Sequence, residues 1–469
     1  MYELIFIFAG TLYGLLIGII PSIGATTGLI FLFSFISYVD PYLAVIFCMA
    51  CVAASATGDS YSGVLLGIPG ANSCSTIIID GHALAKKGYA DYAISSAITS
   101  SSINGIFWGL VTFLFFPYYT NVIYFFGIPE IWAFTLWAFS AIVFIGSKWW
   151  IRGLLALILG IFLGLVGVDP TTNEARYTFG WFYLEDGIQI LPLVAGLFAI
   201  PEMISYRHPT KSNISNQTLD GIKVVFQNKW IAIKGGIIGA FVGVLPGLGG
   251  AIADWIAYSQ TVATVKEKFG QGNIKGVIGA EGANNAQKAT SMLPTILFGI
   301  PGAPYAAILL SLFAYIGFEM GTPDLMLDQH FFDNMLYGFV GGTILVGVIC
   351  FFITKHVAKL LTVPQYYYIP IILLIIIFSC VQYTGGWEDY TFLFLCGILG
   401  IVCKKFKFSR PCVLFGFILS ERIELLTVQL TSIYSVDLLL DRWLFILLLL
   451  FVIITIFYGV FKSQKLEFV

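Results

Sequence analysis

Apolar residues in this chain come in long stretches that approach or exceed the roughly 20 residues needed to cross the hydrocarbon of a bilayer. They include Ile94 to Phe116, Leu154 to Val168, Leu336 to Ile353, Tyr366 to Val381 and Trp443 to Phe461. The polar segments between them are too short for a separate soluble domain. The pattern predicts an all-α polytopic membrane protein of roughly twelve transmembrane segments, because helices satisfy their own backbone in lipid.

Two stretches, Tyr2 to Tyr38 and Trp230 to Val265, are too long for one crossing at about 1.5 Å per residue, so each should be a re-entrant hairpin or two spans. Both carry the same text. Gly14-Leu-Leu-Ile-Gly18-Ile-Ile-Pro21-Ser22-Ile-Gly24 returns as Gly239-Ala-Phe-Val-Gly243-Val-Leu-Pro246-Gly247-Leu-Gly249, and Gly67-Ile-Pro69-Gly70 returns as Gly299-Ile-Pro301-Gly302. Helix-breaking Gly and Pro at matching places in a duplicated membrane sequence point to discontinuous helices around a binding site.

Loop charges orient the copies. Lys and Arg collect in loops such as Lys86/Lys87, Arg207 to Lys229 and Lys266 to Lys275, which the positive-inside rule places in the cytoplasm. Acid-rich loops such as Asp169 to Asp186 and Phe318 to Asp333 then face outward. Under this assignment copy one leaves its second motif toward the cytoplasm and copy two toward the outside. The expectation is an inverted-topology repeat: residues 1–205 as the first repeat, 206–229 as a cytoplasmic linker, and 230–469 as the second repeat with a last helix.

Composition fixes the solvent, with 58% hydrophobic residues, 11% charged residues and a mean hydropathy of +0.90. A net charge of −2 and the lack of a long basic block argue against nucleic acid. Met1 to Gly10 lacks a basic stretch of signal-peptide type, so the first apolar run should stay with the protein. The eight Cys read as small core residues, since Cys48 and Cys51 have no His or second pair beside them to make a metal set. No metal or organic cofactor is expected.

Pro removes a backbone donor and Gly permits unwound dihedrals, so the freed amides and carbonyls at each break need a polar partner that lipid does not offer. A helix restarting after the break would present its N-terminal amides to an anion. The bland alternative is a proline kink with glycine packed on a neighbour; four breaks in matched pairs favour a substrate site. The substrate-binding candidates are Pro21, Ser22, Gly24, Thr26, Thr27, Gly67, Pro69, Gly70, Asn72, Pro246, Gly247, Gly249, Asn284, Asn285, Gly299, Pro301 and Gly302. Thr26 and Thr27 would cap the first restarting helix, and the two adjacent amides suit a carboxylate by donating or an ion by accepting. Asp59, with Ser60, and Asp254 are isolated in apolar text and are candidates for the coupling ion, Na⁺ or H⁺. Lys288 should pair with Glu281 two helical turns away. Trp255 and Tyr258 read as interface anchors, and His82, His208, His330 and His356 as solvated or interfacial.

Together with Asp80-Gly-His-Ala-Leu-Ala-Lys-Lys-Gly88, Gly127-Ile-Pro-Glu130, Gly196-Leu-Phe-Ala-Ile-Pro-Glu202 and Glu281-Gly-Ala-Asn-Asn285, these motifs give the chain a resemblance, over nearly its whole length, to the large membrane subunit of the tripartite tricarboxylate transporters. The resemblance implies ion-gradient-driven uptake across a bacterial or archaeal cytoplasmic membrane. It also implies two partners, an extracytoplasmic binding protein that delivers the carboxylate and a small four-helix membrane subunit. Two departures stand out: Pro21-Ser22-Ile23-Gly24 where relatives carry Pro-Gly-Leu-Gly, and Gly58-Asp59-Ser60-Tyr61-Ser62 where they carry Gly-Gly-Ser-Ile-Pro. A fixed charge at Asp59 disfavours a tricarboxylate unless a cation sits between.

The competing readings are an intramembrane lipid-linked enzyme and a passive channel. The enzyme lacks a nucleophile with its base or a metal set, and the channel has no need of inverted broken helices. The expectation is a transporter that is not an enzyme.

Overall fold

The computed structural model describes residues 2–20, 24–67, 76–123, 125–145, 149–169, 172–204, 217–360, 369–370, 373–374, 376–377, 380 and 386–467. Among them Tyr2–Ile19, Pro41–Leu66, Ala90–Leu114, Gln329–Thr354 and Trp443–Phe461 are helices long and apolar enough to cross a membrane. Shorter apolar helices include Ile128–Phe144, Trp150–Gly164, Ile190–Ala199 and Pro304–Tyr315. The protein is an all-α multi-pass membrane protein. The apolar run from Tyr366 to Val381 lies largely outside the described residues.

The long helices start and stop where local chemistry dictates. Asp40 caps Pro41–Leu66 by accepting from the Tyr42 and Leu43 amides, with Pro41 at the first position, where the lost donor costs nothing. That helix ends at Gly67, whose left-handed φ of +65° suits glycine; Met292–Phe298 ends the same way at Gly299, φ +60°.

Tyr2–Ile19 packs against Pro41–Leu66, and Lys229–Val244 packs against Ile274–Thr290 in the same manner. Gly10, Gly14 and Gly18 rest on Phe47, Cys51 and Ser55; Gly235, Gly239 and Gly243 rest on Gly279, Ala283 and Gln287. A Cβ at Gly14 or Gly239 would penetrate the carbonyl oxygen of Cys51 or Ala283, so these four-residue spacings allow backbone to meet backbone.

The halves then interlock. Ala90–Leu114 packs on Ile274–Thr290, with Ser100 Oγ donating to the Ile278 carbonyl at 2.7 Å and Asn104 Nδ2 to that of Ala232 at 3.1 Å. Gln329–Leu360 packs on Pro41–Leu66, where Tyr61 Oη donates to the Cys350 carbonyl at 3.2 Å. Pro41–Leu66 and Ile274–Thr290 are therefore enclosed from both sides and buried along nearly their whole lengths.

The second half of the expected linker forms the helix Thr218–Gln227, held on Ala90–Leu114 by Ser96 Oγ donating to the Gly221 carbonyl at 2.9 Å. Residues 205–216 lie outside the described residues. In the loop before Phe182–Asp186, Gly167–Val168 pairs antiparallel with Ala175–Arg176. Arg176 ties this hairpin to the helix Arg410–Ile433 by a two-pronged bond to Glu424 and, within the hairpin, bonds Asp169 at 2.8 Å.

Candidate functional site

The helices do stop and restart at the duplicated text. Tyr2–Ile19 gives way to Gly24–Leu32, and Lys229–Val244 to Gly249–Thr264. Gly24, Gly247 and Gly249 carry φ of +58°, +77° and +67°. Pro21, Ser22, Pro69, Gly70 and Asn72 lie outside the described residues. In the second copy the two breaks touch: the Gly249 amide donates to the Gly302 carbonyl at 3.2 Å, and the Gly302 amide donates to Thr295 Oγ1 at 3.2 Å. Pro246 is buried in this turn, and Pro301 is buried beside Gly302. Pro304–Tyr315, restarting after that second break, packs against Gly24–Leu32, restarting after the first break of the other copy. The capping expectation for Thr26 and Thr27 is corrected, because the helix begins at Gly24 and both fall inside its first turn. Thr27 is buried there.

Charge gathers at these breaks. Asp59, Asp254, Glu281 and Lys288 are all buried, and each carboxylate lies in the electrostatic field of Lys288. Ser60 Oγ donates to Glu281 Oε2 at 3.1 Å, which joins Pro41–Leu66 to Ile274–Thr290. No donor among the described residues reaches Asp59 Oδ1 or Oδ2, Asp254 Oδ1 or Oδ2, or Glu281 Oε1. Lys288 Nζ donates to the Val52 carbonyl at 3.2 Å and Ser55 Oγ at 3.1 Å, and lies 5.7 Å from the centre of the Tyr305 ring. Tyr305 Oη in turn bonds Ser291 Oγ at 2.5 Å and the Lys288 carbonyl at 3.1 Å, which fixes the start of Pro304–Tyr315 to the same place.

Lys288 Nζ, expected to pair with Glu281, donates across to Val52 and Ser55 in the other half of the protein, and Glu281 lies in its electrostatic field. The Asn pair also divides. Asn284 Nδ2 donates to Glu281 Oε2 at 3.4 Å, whereas Asn285 packs against Gly105 on Ala90–Leu114, so the two amides do not face one ligand together. Glu281 and Tyr305 were not among the sequence candidates. A polar tip three residues past Gly302 was the available signal for Tyr305.

At the other end of the core, Asp80 is buried and accepts from the Gly270, Gly272 and Asn273 amides at 2.8, 2.8 and 2.9 Å and from Tyr258 Oη at 2.9 Å. Tyr258 is thus a core residue and not an interface anchor, while Trp255 is exposed. His82 is likewise enclosed rather than solvated: its Nδ1 lies 2.8 Å from the Val64 carbonyl and its ring packs beneath Gly67. His330 and His356 are exposed, and His208 lies outside the described residues.

Three acids and a lysine buried close to these breaks are costly in a low-dielectric interior. Residues 4–415 match the model of the tripartite tricarboxylate transporter TctA family. The chain belongs to this family. It is similar to an uncharacterized 52.8 kDa protein in the TAR-I ttuC' 3' region of Agrobacterium vitis, 28% identical over 90% of this chain and 86% of that one. An uncharacterized protein in the TAR-II ttuC' 3' region of the same organism is 30% identical over 40% of this chain and 78% of its own length. No solved structure matches the chain. As a TctA-family protein it is the large membrane component of a tripartite transport system, and the breaks and buried charges belong to a permease.

Proposed function

We propose that this TctA-family permease imports a small di- or tricarboxylate, delivered by an extracytoplasmic binding protein, by symport with H⁺ or Na⁺ across the cytoplasmic membrane of a bacterium or archaeon. A small four-helix subunit completes the complex. The matched seams, Tyr2–Ile19 on Pro41–Leu66 and Lys229–Val244 on Ile274–Thr290, support an inverted repeat of roughly twelve spans with alternating access between its halves. The restarting helices Gly24–Leu32, Gly249–Thr264 and Pro304–Tyr315 offer main-chain amides to the carboxylate.

The observation that carries the reading is the burial of Asp59, Asp254 and Glu281 beside Lys288 at these breaks. Fully ionised, three carboxylates against one ammonium leave a deficit of positive charge that burial makes expensive. Coupling cations remove the deficit, and the anionic substrate is tolerated only once they are aboard. That order of binding is what couples a gradient to uptake.

Purified protein in liposomes, given its small subunit and cognate binding protein, should accumulate labelled carboxylate only when a Na⁺ or proton gradient is imposed. Saturable flux that ignores both gradients would overturn symport in favour of a passive pore.

A further inference from the structure

Arg422 lies outside the charge cluster, in the helix Arg410–Ile433. Its guanidinium covers the second break from the far end. A Cβ at Gly299 would lie 2.8 Å from Nη1 and 3.3 Å from Cζ, and a Cβ at Gly321 would lie 3.1 Å from Nη2. Both glycines have left-handed backbone, φ +60° and +77°, and the Gly321 amide donates to the Ile296 carbonyl at 2.8 Å, which folds this turn over the end of Met292–Phe298. The cation is therefore pressed against main chain that only glycine can supply.

Two other arginines are used up in ion pairs. Arg176 grips Glu424 and Asp169, and Arg442 Nε donates to Glu130 at 2.6 Å. Arg422 forms no ion pair among the described residues, and its Nε is buried with no acceptor among them. An arginine that merely capped Met292–Phe298 would donate to that helix's last carbonyls, as capping side chains do. The negative end of the helix dipole stabilises the cation where it lies, while the donors of the guanidinium fork stay available. A planar fork of this kind matches a carboxylate with two parallel bonds.

The seven residues of Met292–Phe298 separate Arg422 from Ser291, where Gly302, Tyr305 and Lys288 meet, a distance of roughly 10 Å at helical rise. Gly321, within the Glu319–Asp333 segment expected to face outward, stands at the Arg422 end. We propose that Arg422 is a second anion site, which takes a carboxylate group of the incoming substrate at the outer end of the break before the substrate moves to the buried charges. This rests on the carboxylate-import reading above.

The test measures binding of radiolabelled citrate, succinate and acetate to the intact purified protein, with thermal midpoints recorded in parallel. Wild type should bind citrate or succinate, and Arg422→Gln should weaken that binding by at least about 30-fold with its ligand-free midpoint unchanged, the scale of a lost charge-assisted pair. Arg422→Lys, keeping the charge without the fork, should lose roughly 5- to 10-fold. Should Arg422→Gln fail to fold, phenylglyoxal labelling of wild type read by mass spectrometry replaces it, and the bound carboxylate should shield Arg422. Undiminished binding by Arg422→Gln, a loss that only tracks a lowered midpoint, or labelling indifferent to ligand would overturn the Arg422 site alone. Wild type that binds none of the three carboxylates would instead overturn the import reading.

Discussion

The two copies of the broken segment share their glycine geometry at the described positions and differ in their side chains. Gly14 and Gly239 make the same close approach to a partner helix, and Gly67 and Gly299 end a helix with the same left-handed cap. In matched register, however, Asp254 of the second copy stands opposite Leu29 of the first, and Asp59 of the first stands opposite Ser291 of the second. The two stretches keep what glycine geometry requires while their charges differ. The lesson is that the scaffold of the site is symmetric and its chemistry is not.

Replacing an acid with its counterpart breaks that asymmetry most directly. Asp254→Leu should cut gradient-driven uptake roughly 100-fold, near the upper end of ordinary coupling free energies, while the protein stays folded in the membrane. Uptake in reconstituted liposomes checks it, and near-normal uptake would mean the second copy's acid is incidental. Lys288→Met removes the only buried cation of the cluster and leaves its carboxylates facing one another. It should destabilise the protein by about 3–5 kcal/mol, seen as a lower thermal midpoint in detergent. The combination of Lys288→Met with Asp59→Asn should recover part of that loss.

The shared scaffold gives a matched pair of smaller effects. Gly14→Ala and Gly239→Ala should each cost about 1–3 kcal/mol, and by similar amounts, because both force a Cβ into a carbonyl of the neighbouring helix. Very unequal midpoints would show that the two seams are not equivalent. Smallest of all is a surface effect in the loop that Asp80 holds. Hydrogen bonds from Lys275 and Asn273 keep the Glu267 carboxyl below its ordinary value of 4.5. A carboxyl depressed in the folded state adds stability above the unfolded value and loses it as pH falls through the folded one, so Glu267→Gln should flatten the stability profile only on the acid side of about 4.5. The thermal midpoint measured from pH 6 down to pH 3 reads this out.

Much of the scaffold was legible because its signals are local. Pro and Gly within apolar text mark where helices end, and Asp59 and Asp254 stand out against their neighbours. What escaped depends on contacts between distant segments. The fourfold acceptance by Asp80 needs residues 258 to 273 to lie against it, and His82 is buried only because Val64 and Gly67 fold over it. Asn284 and Asn285 look like a joint pair in sequence, yet neighbours on a helix point about 100° apart, and the structure sends them to different partners. Lys288 and Tyr305 meet across a break, and Arg422 reaches Gly299 from more than a hundred residues away.

Asp59 decides the account. In liposomes loaded with unlabelled carboxylate, Asp59→Asn should still exchange internal for external label within about threefold of wild type, while failing to accumulate label against a gradient, since a neutral amide holds the substrate site open but carries no cation. Accumulation equal to wild type would contradict the claim that buried charge at the breaks couples transport.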